Sequence, residues 1–160
     1  RGRYLFMCDS DLSMPITEVC KFLPPELTGY DIAIASREGP GAHRYGEPAY
    51  RHLMGRVFNL IIRVLAIPHL QDTQCGFKSF RRDVAQEVFS CLTMTGWSFD
   101  VEALFIALRR GYKVIPVPVD WYFDADSRVN PLHDTWRMFR DVVKIRLKGL
   151  RGEYDPGCSS

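Results

Sequence analysis

Continuous apolar runs alternate with segments whose apolar residues recur every three or four positions, and this alternation sets the expected elements. Tyr4-Leu5-Phe6-Met7-Cys8 is a continuous run of the kind that forms a fully buried strand. Ile16, Val19, Cys20 and Leu23 follow at helical spacing, with Ser13 as the expected N-cap, Pro15 in the first turn and Pro24-Pro25 as the stop. Asp31 to Ser36 reads as a short apolar strand, and Arg37 to Glu47, with Gly39, Pro40, Gly41 and Gly46, as a loop. From Pro48 to Ile67 the apolar positions 50, 53, 54, 57, 58, 61, 64 and 65 predict a long amphipathic helix that Pro68 ends. Asp72 to Phe80 reads as a polar turn entering a strand. Helices are predicted over 83–92 and 98–110, the second closed by Gly111. Lys113 to Val119 reads as a strand, and its two prolines, Pro116 and Pro118, place it at a sheet edge because neither can donate to a ladder. A last helix is expected over 131–148, and residues 151–160 as a frayed tail. Strands alternating with helices predict an α/β layered domain over 1–150, without an internal repeat or linker.

Composition narrows the function classes. With 160 residues, 46% hydrophobic and 25% charged, the chain can bury a core of its own. A net charge of +2 gives no general pull toward nucleic acid, which is not an expected partner, so any basic site must be local. No run reaches the ~18–20 apolar residues that cross a bilayer. Five cysteines, Cys8, Cys20, Cys75, Cys91 and Cys158, form no CxxC and no metal-ligand spacing, so reduced thiols in a cytosolic setting are the expectation. Cys75 is expected to be a small buried hydrophobe, and Trp97, Phe99 and Phe105 to lie in the core. His43, His52, His69 and His133 share no ligand spacing and are expected in loops or on the surface. Arg1 is not an initiator methionine and an apolar run follows almost at once, so a missing upstream part is expected.

Chemistry concentrates in a few places. Asp9 and Asp11 directly follow the first strand, where open α/β sheets bind ligands. Alternate residues of an extended segment project to one side, so two hard carboxylates there can share a divalent ion with diphosphate oxygens; the alternative is two solvated acids in a loop. In Asp72-Thr73-Gln74-Cys75-Gly76-Phe77-Lys78, Gly76 allows close approach of backbone to a ligand and Asp72 and Lys78 supply both signs of charge; the alternative is a β-turn over a buried Phe77. In the last helix Arg140, Lys144, Lys148 and Arg151 form a basic stripe with Arg137 close by. Leu132, Trp136, Phe139, Val143 and Leu147 form an apolar stripe beside it, and Met138, Val142 and Ile145 a second one. Such a helix can lie in an anionic headgroup layer or pack on the core as an ordinary surface helix, and two apolar strips allow both.

Taken in order, Asp9-Ser10-Asp11, the Ser36-Arg37 strand end with its basic glycine-rich loop, Asp72 to Lys78, Phe99-Asp100-Val101-Glu102 and Ser127-Arg128-Val129-Asn130-Pro131 resemble the family 2 glycosyltransferases. The likeness runs from Tyr4 to about Lys148 and is closest to the polyprenyl-phosphate sugar transferases, in their glucosyl branch. It implies a GT-A fold, a Rossmann-like three-layer α/β/α arrangement, here without its first βαβ segment. It implies a metal-dependent enzyme at the cytosolic face of a membrane, carrying out inverting transfer of a hexose, expected to be glucose, from a UDP-sugar to a polyprenyl or dolichyl phosphate. GDP-mannose is the alternative donor, and a noncatalytic module binding phosphate or anionic lipid is the alternative of a different class. A processive polysaccharide synthase fits less well, because no QxxRW motif is present.

By the same resemblance Asp9 and Asp11 would hold Mg²⁺ or Mn²⁺ on the donor diphosphate, Asp11 more directly. Arg37, Arg44 and Arg51 would clamp donor or acceptor phosphates, together with Lys78, Ser127 and Arg128. Asp72 and Asp100 would stand at the reacting sugar, orienting hydroxyls rather than acting as bases. An acceptor phosphate is already largely a dianion near neutral pH and is its own nucleophile. Lacking upstream residues, the segment alone is expected to bind donor weakly and to be inactive.

Overall fold

A computed structural model of the chain describes residues 2–11, 13–124 and 131–156, and side chains of the last helix from 136 onward. Its centre is β2 (Ile32–Ser36), buried at every position. β2 pairs antiparallel with β4 (Lys78–Arg81) on one side and parallel with β5 (Val114–Pro118) on the other. β1 (Tyr4–Met7) pairs antiparallel with β4, giving the order β1-β4-β2-β5. The expected buried central strand at Tyr4 is therefore an edge strand of the described sheet, only partly buried. β5 lies at the opposite edge, as its prolines require, with Pro116 and Pro118 both exposed.

Side-chain alternation in β2 divides the core. Ile32 and Ile34 face Phe58 and Ile62 of α1 (Ala49–Leu65), Val84, Ala85 and Val88 of α2 (Arg82–Ser90), Val101 and Leu104 of α3 (Phe99–Arg109), and Val142 and Ile145 of α4 (Pro131–Leu150). Ala33 and Ala35 face Met14, Phe22, Tyr30, Phe77 and Val119. Small residues on that face let the aromatic layer approach closely, and Phe22, Phe6 and Phe77 meet edge to face. Helices thus cover one face and a thinner layer covers the other. This is the mixed α/β arrangement of a Rossmann-like GT-A domain.

Several local expectations give way. Residues Ile16–Phe22 form a 3₁₀ helix without a side-chain cap. The Ser13 N–H instead donates to Asp11 Oδ1 at 3.0 Å, and the buried Glu18 is tied to Lys21 Nζ (2.7 Å) and to the Asp120 N–H (3.2 Å). Inside the expected loop, β3 (His43–Tyr45) pairs parallel with β6 (Asp120–Tyr122), and the Tyr45 and Tyr122 rings stack at 4.7 Å. Both strands are three residues long and pair across the chain, so no local period announces them. The expected frayed tail is packed as far as Asp155. Tyr154 is 1% exposed, and its hydroxyl donates to the buried Glu102 carboxylate at 2.6 Å. Trp97, expected in the core, is 54% exposed, whereas Phe105 is buried. α1 buries only Phe58 and Ile62, so most of its apolar stripe, from Tyr50 to Val64, faces outward. Gly111, at φ 80°, ends α3 as expected, its N–H bonded to Leu108 O at 3.1 Å. Among the described residues no helix is long and apolar enough to cross a membrane.

Candidate active site

Register assembles the site. Because Met7 lies opposite Lys78 in the antiparallel β1–β4 pair, continuing that pairing by two residues brings Asp9 to Gly76. A Cβ built on Gly76 would lie 1.8 Å from Asp9 Oδ2, so the Asp9 carboxylate rests on the Gly76 backbone and only glycine fits beneath it. On the other side of β4, the Ala35 N–H bonds to Phe77 O at 2.8 Å, which carries the end of β2, and with it Arg37, to the same place. Three neighbouring strand ends therefore deliver Asp9, the Asp72–Lys78 segment and Arg37 to one locality. The expected polar turn is not a surface turn, since Asp72 and Thr73 are both 1% exposed.

Arg37 and Asp72 form the fixed centre. Asp72 Oδ2 accepts from the Arg37 N–H (3.0 Å) and Nε (2.7 Å), and Oδ1 accepts from Nη2 (2.9 Å). Burial by itself would raise the Asp72 carboxyl, but the Arg37 guanidinium outweighs it and holds the group down at about 2. With no solvent-accessible side-chain surface, Asp72 is a positioning residue for Arg37 and not a group a substrate can touch. Arg44 is also committed: Nη1 pairs with Glu47 (2.7 Å), Nη2 with Glu38 (2.8 Å), and Nε donates to Arg37 O (3.2 Å). Both guanidiniums lie against the Trp121 ring, at 5.3 Å for Arg37 and 5.8 Å for Arg44. Arg51 lies 5.6 Å from the Phe123 ring.

Lys78 is completely buried, with Nζ donating to Cys75 O at 2.7 Å and standing 3.0 Å from Asp100 Oδ1. Burial raises the Asp100 carboxyl, Lys78 opposes that, and the charges of Asp9 and Asp72 add to it. Asp9 is raised as well, by burial first and then by Asp11, with Lys78 and Arg37 opposing. Asp9, Asp72, Asp100, Arg37 and Lys78 therefore sense one another as one charge cluster, with Asp9 and Asp11 at its exposed rim. Cys75 is buried as expected, its thiol pushed up to about 11 chiefly by burial. Ser127 and Arg128 lie outside the described residues.

The sequence reading missed Trp121, Glu38 and Glu47. Trp121 is brought in by the short β3–β6 pair. The two glutamates lie within the recognised loop, where their charges are visible but their partners are not.

No protein-family model matches the chain. It is 30% identical over 171 residues to the dolichyl-phosphate beta-glucosyltransferase of Saccharomyces cerevisiae, covering 96% of this chain and 50% of that protein. It is 31% identical over 161 residues to the dolichyl-phosphate beta-glucosyltransferase of Homo sapiens, again covering 96% of this chain and 50% of that one. It is also 30% identical over 145 residues to glycosyltransferase AglD of Haloferax volcanii, covering 90% of the chain and 23% of that protein. The chain spans about half the length of the yeast and human relatives.

Proposed function

Starting from a chain that belongs to the family 2 glycosyltransferases, of the dolichyl-phosphate sugar-transferase type, we propose that the protein carrying it transfers glucose from a UDP-sugar to dolichyl or polyprenyl phosphate at the cytosolic face of a membrane. The observation that carries this reading is the convergence of Asp9, Gly76 and the Arg37–Asp72 pair at three neighbouring strand ends.

The donor set at the rim fits a divalent ion. Asp9 and Asp11 offer hard carboxylate oxygens, and the charge of Asp11, second to burial in raising Asp9, is a repulsion that a cation would relieve. Among the described residues no group of three His, Cys, Asp or Glu is gathered for a metal, so an ion held by Asp9 and Asp11 would take its remaining positions from water and substrate oxygens. When bound, Mg²⁺ or Mn²⁺ would offset the charge of the donor diphosphate and of the departing UDP.

The chain's own residues do the rest. Arg37, fixed by Asp72 through Nε and Nη2, keeps Nη1 as the nitrogen that would donate to a phosphate oxygen without the guanidinium having to reorganise. The acceptor phosphate oxygen attacks the anomeric carbon as the bond from that carbon to the UDP oxygen breaks, inverting the configuration. Neither buried acid serves as a base. Asp72 is occupied by Arg37, and Asp100 is paired with Lys78 and would at most orient a sugar hydroxyl.

The test is transfer by the full-length protein from labelled UDP-glucose or GDP-mannose to dolichyl phosphate in membranes, wild type beside Asp11→Ala. A glucolipid made by wild type alone is the expected product. A mannolipid would assign the other donor, and no product from folded wild type would favour a noncatalytic phosphate-binding module.

A further inference from the structure

We propose that the cleft between residues 93–95 and the basic face of α4 is a second binding site, one that takes a phosphate group. The cleft has a volume of about 400 Å³ and is lined by Thr93, Met94 and Thr95 on one side and by Trp136, Arg137, Arg140, Asp141 and Lys144 on the other. That volume suits a headgroup or a small phosphate ester.

Its positive charge is less fully opposed than that of the arginines paired elsewhere in the fold. Arg37, Arg44, Arg81, Arg109 and Arg110 each form an ion pair with a carboxylate. Arg137 and Arg140 are exposed and form no ion pair with any described residue. Lys144 reaches Asp141 only at 3.5 Å, and Asp141 also accepts from Ser98 Oγ at 2.9 Å. Three cations thus converge on one cleft against a single, already engaged carboxylate. An anion with several oxygens relieves their repulsion, and paired guanidinium N–H groups match phosphate in two parallel bonds.

The walls are firm. The buried Glu102 carboxylate accepts from the Thr93 N–H (2.9 Å), the Met94 N–H (2.7 Å) and Thr93 Oγ1 (2.6 Å), and Lys148 Nζ donates to Thr93 Oγ1 at 2.8 Å. Opposite, Val142 and Ile145 anchor α4 in the core. Trp136 stands 65% exposed at the rim, stacked on Phe139 at 5.7 Å, as an amphipathic ring does at the headgroup level of a membrane. None of the lining residues belongs to the Asp9–Arg37–Asp72 cluster, so the proposal stands independently of the transferase reading.

The test compares full-length wild type with R137Q/R140Q and with R146Q/R151Q, which removes the same charge from exposed positions outside the cleft. Two probes are used: vesicles containing phosphatidic acid, and inorganic phosphate in solution. Binding is read together with hydrogen-exchange protection of the segment around 93–95. The expected result is that R137Q/R140Q weakens binding at least about tenfold more than R146Q/R151Q, with protection at 93–95 in wild type only. An effect confined to vesicles identifies a lipid headgroup as the source, and an effect with inorganic phosphate as well identifies phosphate itself as sufficient. Equal weakening by the two variants, or no protection at 93–95 with either probe, overturns the proposal.

Discussion

Two basic regions of this molecule contain the same residue types and use them in opposite ways. Around Arg37 and Arg44 every guanidinium has a carboxylate: Asp72 for the first, Glu38 and Glu47 for the second. Along α4, Arg137 and Arg140 have none among the described residues. The first region is preorganised, with charges desolvated, paired and aimed before any ligand arrives; the second keeps its charge in water. A count of arginines therefore says little about where an anion binds. What matters is whether each positive charge is already opposed, and whether opposing it serves to fix its direction.

The comparison can be broken most directly at Asp72. Asp72→Ala would leave Arg37 mostly buried without its carboxylate, an arrangement that costs about 3–5 kcal/mol. Urea unfolding should show that loss, while Arg137→Ala leaves the midpoint essentially where it was. Equal effects of the two changes would erase the distinction between the regions.

Next in size is Gly76→Ala. Its methyl would occupy the space of the Asp9 carboxylate, so a stability loss of about 1–3 kcal/mol and loss of metal-dependent donor binding should appear together. Unchanged donor binding would mean that Asp9 does not need this perch. Tyr154→Phe removes one donor from the buried Glu102 and should cost about 1–2 kcal/mol, with faster hydrogen exchange around 93–95 and the C-terminal turn.

A pH titration sharpens the contrast further. The Asp72 carboxyl is held at about 2 in the folded protein, below the ordinary aspartate value of 3.8. A depressed folded value means that the Arg37–Asp72 contribution is fully present above the unfolded pKa and is lost as pH falls from about 4 toward 2. Acid unfolding of wild type should steepen in that window, and Asp72→Asn should remove the steepening.

The sequence carries unequal amounts of this picture. β2, α1, α3 and the proline-marked edge strand β5 follow from apolar periodicity and proline chemistry, since each is long or distinctive enough to impose its own pattern. The position of Asp9 and Asp11 after a strand, and the Asp72–Lys78 turn, are legible for the same reason. What is not legible depends on partners far along the chain. Nothing in His43-Arg44-Tyr45 indicates pairing with Asp120–Tyr122, and nothing near Ser13 indicates that Glu18 will be held by Asp120. The burial of Lys78 and Asp72 is hidden too, because a charged turn reads as solvated until its counterions are known. In α4 the core-facing strip is realised at Val142 and Ile145, while Trp136 stands exposed.

The central claim is that Asp9 and Asp11 hold a nucleotide-sugar donor through a divalent ion beside Arg37. Calorimetry of UDP-glucose binding to the full-length protein, with Mn²⁺ and with chelator, in wild type and Asp11→Ala, tests it most directly. Saturable binding in wild type that requires Mn²⁺ and disappears in Asp11→Ala is the predicted result. Binding that persists in chelator, or that Asp11→Ala leaves intact, would contradict it.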